Sequence, residues 1–407
     1  MSLIEQPILM SGLSSKSDTR IQLHSLPPLS LYIHIPWCIR KCPYCDFNSH
    51  QIREDIDENL YVESLLHDLE NELPYFWGRP IHSIFIGGGT PSIFSAHAID
   101  SLLSGIRARV QLLPNAEITL EANPGTFERN RFKGFASAGI NRLSIGVQSF
   151  ENKKLTALGR IHNQSEALLA IETALTLFDQ VNIDLMYALP EQTISEARKD
   201  IKTAIATGVQ HISAYQLTME PNTPFGHTPP AFLPDDEQSD DIEHEVHTTL
   251  AEGGFEKYEI SAFAHHKQYC RHNLNYWQFG DYIGIGAGAH GKISFAQSII
   301  RTVRNRHPKD YLTAMQQQPE NAVQRQEISV QNIPFEFMMN ALRLTQGVPA
   351  SWFFERTGLN IATIYQAIQQ AINKGLMDSN PQFFRPTALG HRFLNDLLTL
   401  FLEESLS

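Results

Sequence analysis

From residue 29 to about 221, short β-rich runs alternate with stretches whose apolar residues recur at helical spacing. No other property of the chain narrows the fold as much. The strand candidates are Leu31–Ile35, Ser83–Ile86, Glu117–Leu120, Arg142–Val147, Val181–Met186 and His211–Leu217. Between them lie helical patterns at Asp57–Leu73, Ala96–Ala108, Glu128–Ala138, Gln164–Phe178 and Ile194–Thr207. Strands separated by helices pair in parallel, because the crossover brings the chain back to the same end of the sheet. Six such units predict an α/β fold, a partial (β/α)6 TIM-like barrel at residues 29–235. Parallel α/β folds gather their sites at the carboxyl ends of the strands.

Polar and glycine-rich runs stand at those ends. A cysteine loop follows the first strand, Gly87-Gly88-Gly89-Thr90 the second and Glu121-Ala122-Asn123-Pro124 the third, while Gln148 ends the fourth and Asp184 lies in the fifth. The loop reads LYIHIPWCIRKCPYCDFN and carries Cys38, Cys42 and Cys45 in C-x3-C-x2-C spacing, three of the chain's four cysteines. Thiolates gathered so closely are ligands for zinc or an iron–sulfur cluster, and three of them leave one metal position open. Structural zinc sites pair two separated C-x2-C knuckles, and only one such pair occurs here. Three packed cysteines are the plain alternative.

Beyond the barrel, the proline-rich Pro221–Pro234 reads as a loop. Residues 236–326 read as a barrel-extending and connecting segment, a helix followed by strands and glycine turns, with a glutamine-rich helix or connector at Met315–Gln326. Residues 327–407 predict a small α+β, winged-helix-like domain, with helices at Pro334–Leu344, Ser351–Thr357 and Ile361–Lys374 and a hairpin at Leu376–Pro386. Residues 1–28 form an N-terminal extension without the basic start and apolar stretch of a secretory signal.

Several function classes recede on composition. A net charge of −12 argues against a protein that coats nucleic acid. Residues 320–407 hold six Lys/Arg against eight Asp/Glu, with no basic stripe to meet phosphates. No apolar stretch approaches the roughly 18 residues of a membrane span. Free thiols in a Cys-poor chain suit a reducing, cytoplasmic setting.

With its surroundings, the cysteine loop resembles the radical S-adenosylmethionine (SAM) superfamily, including Tyr44 just before the last cysteine. The resemblance implies a [4Fe-4S] cluster on Cys38, Cys42 and Cys45, with SAM on the remaining iron. It further implies a SAM pocket formed by Tyr32, Gly88, Gly89, Thr90, Glu121, Gln148, Arg160 and Asp184. Those types suit a zwitterionic ribonucleoside: a strand-end carboxylate accepts two ribose hydroxyls, and a guanidinium pairs with a carboxylate. Each residue taken alone reads equally as a turn, a rim salt bridge or strand packing.

Within the superfamily, YIHIPWCIRKCPYCDF, GGGTPS and IGVQSF resemble the oxygen-independent coproporphyrinogen III oxidase group. The oxidases carry a further cysteine where this chain has Phe47, and a longer N-terminal segment. What the chain has instead is His272-Asn-Leu-Asn-Tyr276-Trp277, an H-N-x-x-Y-W run resembling the heme chaperone family beside the oxidases. That resemblance implies heme as ligand, unidentified heme-accepting proteins as partners and, in place of a coproporphyrinogen oxidase, a radical SAM-type chaperone. SAM-dependent oxidative decarboxylation is the alternative function.

Imidazole is a common axial ligand of heme iron and aromatic rings pack on porphyrin faces. His272 is thus a candidate ligand with Tyr276 and Trp277 as packing partners, or else the run merely pins a loop to the barrel. Cys270 reads as a thiolate ligand or a packed cysteine, His34 as a cluster contact or a strand residue, and His290 stays equally open.

Overall fold

The structure, a computed structural model, describes residues 21–402. Most of the expected N-terminal extension, residues 1–20, lies outside the described residues.

Six core strands follow the expected alternation: β1 (Leu29–Ile35), β2 (Ile81–Gly88), β3 (Leu112–Ala122), β4 (Arg142–Gln148), β5 (Gln180–Tyr187) and β6 (His211–Gln216). Every residue of β1 except Tyr32 is buried, as expected of a strand covered on both faces. The intervening helices include α1 (Glu58–Phe76), α2 (Ala96–Arg109), α3 (Phe132–Ala138), α4 (Gln164–Leu177) and α5 (Ile194–Ala206). Capping boxes start two of them. Asn163 pairs with Glu166 at α4 and Thr193 with Glu196 at α5, satisfying helix N–H groups that would otherwise lack partners. Neighbouring core strands are parallel throughout, forming a half-barrel whose helix-facing side buries Ile33, Ile86, Leu120, Ile145 and Ile183.

After the helix α6 (Asp236–Glu252), the chain extends this sheet at both edges. Strand β8 (Ala262–Ala264) adds antiparallel to β6, and β7 (Glu256–Lys257) antiparallel to β8. A short helix α7 (Arg271–Trp277) then crosses back, and β9 (Asp281–Ile285) pairs parallel to β1. Antiparallel strands β10 (His290–Ser294), β11 (Ile299–Arg304) and β12 (Val323–Glu327) complete twelve strands, ordered β12-β11-β10-β9-β1-β2-β3-β4-β5-β6-β8-β7. The sheet stays open, and residues 236–326 belong to it at both ends.

Two buried ionic clusters fasten the added strands. Asp68 and Glu72 of α1 accept from Arg304 at 3.0 and 2.8 Å, and Asp68 also takes the Gly286 N–H at 3.1 Å. Asp281 accepts from Lys292 and Arg79, each at 2.8 Å, and its charge is further met by the Ser294 N–H and hydroxyl. Buried charges are tolerated only when so fully paired.

The glutamine-rich stretch departs from expectation. The helix α8 (Pro308–Gln317) ends there and Val323–Glu327 is a strand instead. Its VQRQE pattern offers no apolar face, and four of its five residues are exposed, so edge pairing with β11 determines its conformation. In the C-terminal part, α9 (Ile333–Ala341) packs Phe337 against Phe353 and Phe384. The hairpin expected at Leu376–Pro386 reduces to a Met377–Pro386 bridge, because Phe383–Phe384 pairs with Val348–Pro349. This second core also draws in Ile21, Leu23, Phe279 and Ile299 from outside residues 327–407.

Candidate functional site

The chain leaves β1 at Ile35 and forms the cysteine loop, which closes where Trp37–Cys38 pairs parallel to His50–Gln51. Lys41 braces it from within, donating to the carbonyls of Phe47 at 3.2 Å and Ser49 at 3.1 Å. The loop rests on the glycine run: Gly89 donates to Ile35 O at 2.7 Å and Thr90 to Trp37 O at 2.8 Å. A Cβ on Gly89 would stand 2.4 Å from Trp37 O, and one on Gly88, at φ +116°, 2.6 Å from the His34 ring. The close approach that these glycines permit is therefore made first by the protein's own loop.

Cys38, Cys42 and Cys45 line one cavity of about 140 Å³ at the strand ends. Cys38 is buried against His50 O, Cys42 accepts from Arg160 at 3.5 Å, and Cys45 lies 3.6 Å from the Ser49 hydroxyl. Burial pushes the Cys38 thiol up to about 11 and Cys45 in the same direction, which favours the protonated thiols. Among the described residues, no three His, Cys, Asp or Glu side chains are gathered as a ready metal site.

The same cavity brings together Gly88, Gly89, Thr90, Glu121, Gln148, Arg160 and Asp184. Glu121 accepts from Gly88 N at 3.1 Å, and burial, aided by the Asp184 charge, lifts its carboxyl to about 8. Burial likewise raises Asp184, which accepts from Asn182 at 2.8 Å. A bulge in β4 leaves Gln148 at φ +69°, where its side-chain oxygen accepts from the Tyr215 hydroxyl at 2.9 Å. Arg160 donates to Asn123 at 2.6 Å and to Gly146 O at 2.7 Å, yet its Nε is buried without a partner. An unsatisfied guanidinium N–H in the same cavity as two half-buried carboxyl groups fits a ligand carrying both a carboxylate and donor groups. Sequence reasoning singled out neither Ser144 nor Tyr215, which complete the wall. Asn123, just past the end of β3, lines the same cavity as Glu121.

Tyr32 lies apart from that well, in an adjoining cavity of about 810 Å³ shared with His34, Tyr276, Trp277 and His290. Phe47, Gly88 and Glu121 line both. The Tyr32 hydroxyl is 2.9 Å from His34 Nδ1, and His34 Nε2 is 2.8 Å from Asn48 O, so His34 is locked under the loop.

His272 is placed differently from Tyr276 and Trp277. It is buried and absent from the cavity wall. Its Nδ1 lies 3.0 Å from the Ser83 hydroxyl and its Nε2 2.8 Å from the Tyr276 hydroxyl, and burial lowers it to about 3. Both ring nitrogens are engaged, so this geometry offers none to a metal. Cys270 is buried against Glu117, which pairs with the N–H groups of Arg271 and His272, each at 3.0 Å. The H-N-x-x-Y-W run is a helix whose buried side anchors it and whose Tyr276 and Trp277 line the cavity.

A half-barrel carrying a C-x3-C-x2-C loop above a polar well at its strand ends defines a radical SAM protein. The Radical SAM superfamily pattern matches residues 32–204, and the HemN C-terminal domain matches residues 328–393. The heme chaperone HemW of Escherichia coli is 48% identical over 381 residues, 93% of this chain and 99% of the relative. That of Haemophilus influenzae is 49% identical over 385 residues, 93% and 99% of the two chains. The chain belongs to the HemW family. Its fold is shared with the solved coproporphyrinogen III oxidase of E. coli, at TM-score 0.79 and 23% identity over 93% of this chain and 91% of that one.

Proposed function

We propose that this protein is a heme chaperone of the radical SAM type, holding heme in the larger cavity and passing it to acceptor proteins. The observation that carries the reading is the shared wall: Phe47, Gly88 and Glu121 separate the cysteine-lined well from a cavity of about 810 Å³, within the size range of cofactor sites. Cys38, Cys42 and Cys45 hold a [4Fe-4S] cluster, which supplies an electron to SAM when bound. Arg160 meets the SAM carboxylate, Glu121 and Asp184 accept its hydroxyl and ammonium donors, and Gly88, Gly89, Thr90 and Gln148 shape the well. Tyr32 stands at the boundary with the heme cavity, where Tyr276 and Trp277 offer aromatic faces.

Phe47 is 60% exposed at the boundary where the oxidases have a cysteine, so an apolar ring replaces a thiol there. We place the protein in the cytoplasm; among the described residues no helix is long and apolar enough to cross a membrane.

Anaerobic reconstitution of wild type and Cys38→Ala, followed by iron and sulfide counts and hemin titration, tests the reading. Wild type should take up about four irons and one hemin, and Cys38→Ala should lose the cluster. Tetrahedral zinc without sulfide, or formation of protoporphyrinogen from coproporphyrinogen III with SAM and reductant, would refute it.

A further inference from the structure

Two histidines line the large cavity, and they differ in what their rings have left to give. His34 is held at both nitrogens by Tyr32 and Asn48. His290, at the start of β10, is exposed and makes no side-chain hydrogen bond, ion pair or ring contact among the described residues. The cations divide the same way. Lys292 is committed to Asp281, and Arg301 to Glu336 and the Tyr282 hydroxyl. Arg306, just beyond β11, is exposed with its guanidinium unpaired among the described residues.

These two free groups lie at the same end of the β10–β11 hairpin, where His290 pairs with Val303. Their placement is built into the fold. Asn48, three residues after Cys45, donates to Ala287 O at 3.0 Å on the His290 side and to Arg306 O at 2.8 Å. Gly284 admits the His290 backbone so closely that a Cβ there would lie 1.9 Å from His290 O.

Resting on the heme-chaperone reading, we infer that His290 is the axial ligand of the bound iron porphyrin and Arg306 the clamp for one of its carboxylate side chains. Neutral imidazole binds iron. Partial desolvation at the cavity wall, with the charges of Arg301 and Arg306 nearby, holds His290 below its ordinary value and so keeps it neutral. A guanidinium matches a carboxylate with two parallel hydrogen bonds. Tyr276 and Trp277 supply the apolar walls for the macrocycle, and His272 acts as a positioning residue through its bond to Tyr276.

The test is hemin titration of the full-length protein followed by absorption and EPR spectra, with wild type, His290→Ala, His290→Cys and Arg306→Gln compared. Removing His290 should change the spin state and shift the Soret band, added imidazole should restore both, and His290→Cys should give a thiolate-ligated spectrum. Arg306→Gln should weaken binding roughly tenfold with an unaltered spectrum. A wild-type spectrum from both His290 variants would overturn the ligand assignment while leaving heme binding intact. Unchanged affinity in Arg306→Gln would overturn the clamp, and a wild type that takes up no hemin would refute the function with it.

Discussion

Arg160 reaches the Cys42 sulfur at 3.5 Å with one arm of its guanidinium and Asn123 and the Gly146 carbonyl with the other. The residue thereby ties the cysteine loop to the ends of β3 and β4, with its Nε left for a ligand. Lysine keeps the charge but loses the planar fork. Arg160→Lys should retain cluster iron and sulfide yet bind SAM roughly tenfold more weakly. Equilibrium dialysis with reconstituted protein measures this, and wild-type SAM affinity would contradict it.

A second expectation concerns pH. Asp200, on α5, accepts from the Ser149 hydroxyl at 2.6 Å and the Phe150 N–H at 2.9 Å, fixing the turn just after Gln148. Burial outweighs those bonds and lifts its carboxyl from 3.8 to about 6. A raised folded value means that the proton is held more tightly in the folded state. The stabilisation is therefore fully present below pH 3.8 and lost as pH rises through about 6. It amounts to about 3 kcal/mol. Asp200→Asn should flatten that part of the pH–stability curve. Denaturant titrations between pH 4 and 7 would show it, and an unchanged slope would rule the group out.

Glu117 should matter more than its distance from the cysteines suggests. It is buried on β3 and accepts two N–H groups at the start of α7 along with the Cys270 thiol. Glu117→Ala leaves these donors unsatisfied, at a cost of about 2–4 kcal/mol in stability. Hemin affinity should fall with it, since Tyr276 and Trp277 ride on the same helix. A melting temperature within a degree of wild type would count against the anchoring role.

How much of this could be read from residue order follows from what each residue depends on. Strands β1 to β6 were legible because short β-rich runs alternate with stretches of helical periodicity along the chain. The cysteines, glycines and strand-end polar residues were legible because local spacing marks them. Strand β12 was not, since VQRQE has no period and forms only because β11 presents an unpaired edge. His272 attracted attention by its motif, but Ser83 and Tyr276 complete its hydrogen bonding. Ser83 is 189 residues away. Arg306 and Asn48 carried no signal at all: one is a surface arginine, the other an asparagine in a turn, until the fold sets them against the same cavity.

Asn48 supplies the last prediction, because it joins the two halves of the site. Its amide holds the Ala287 and Arg306 carbonyls, and its own carbonyl lies 2.8 Å from His34 Nε2. Gly288, at φ +81°, is needed beside it: a Cβ there would meet the Asn48 amide nitrogen at 2.2 Å. The residue belongs to the cysteine loop, yet its bonds end on the turns that carry His290 and Arg306. Asn48→Ala should thus leave cluster content near wild type and release those turns, lowering hemin affinity by roughly five- to tenfold. Hemin should also bind the reconstituted wild type more tightly than the cluster-free wild type, because a cluster held by the loop's cysteines would tether the segment that presents Asn48. In Asn48→Ala that difference should disappear. If the variant still distinguishes the two forms as wild type does, the coupling runs through some other contact between the loop and the cavity.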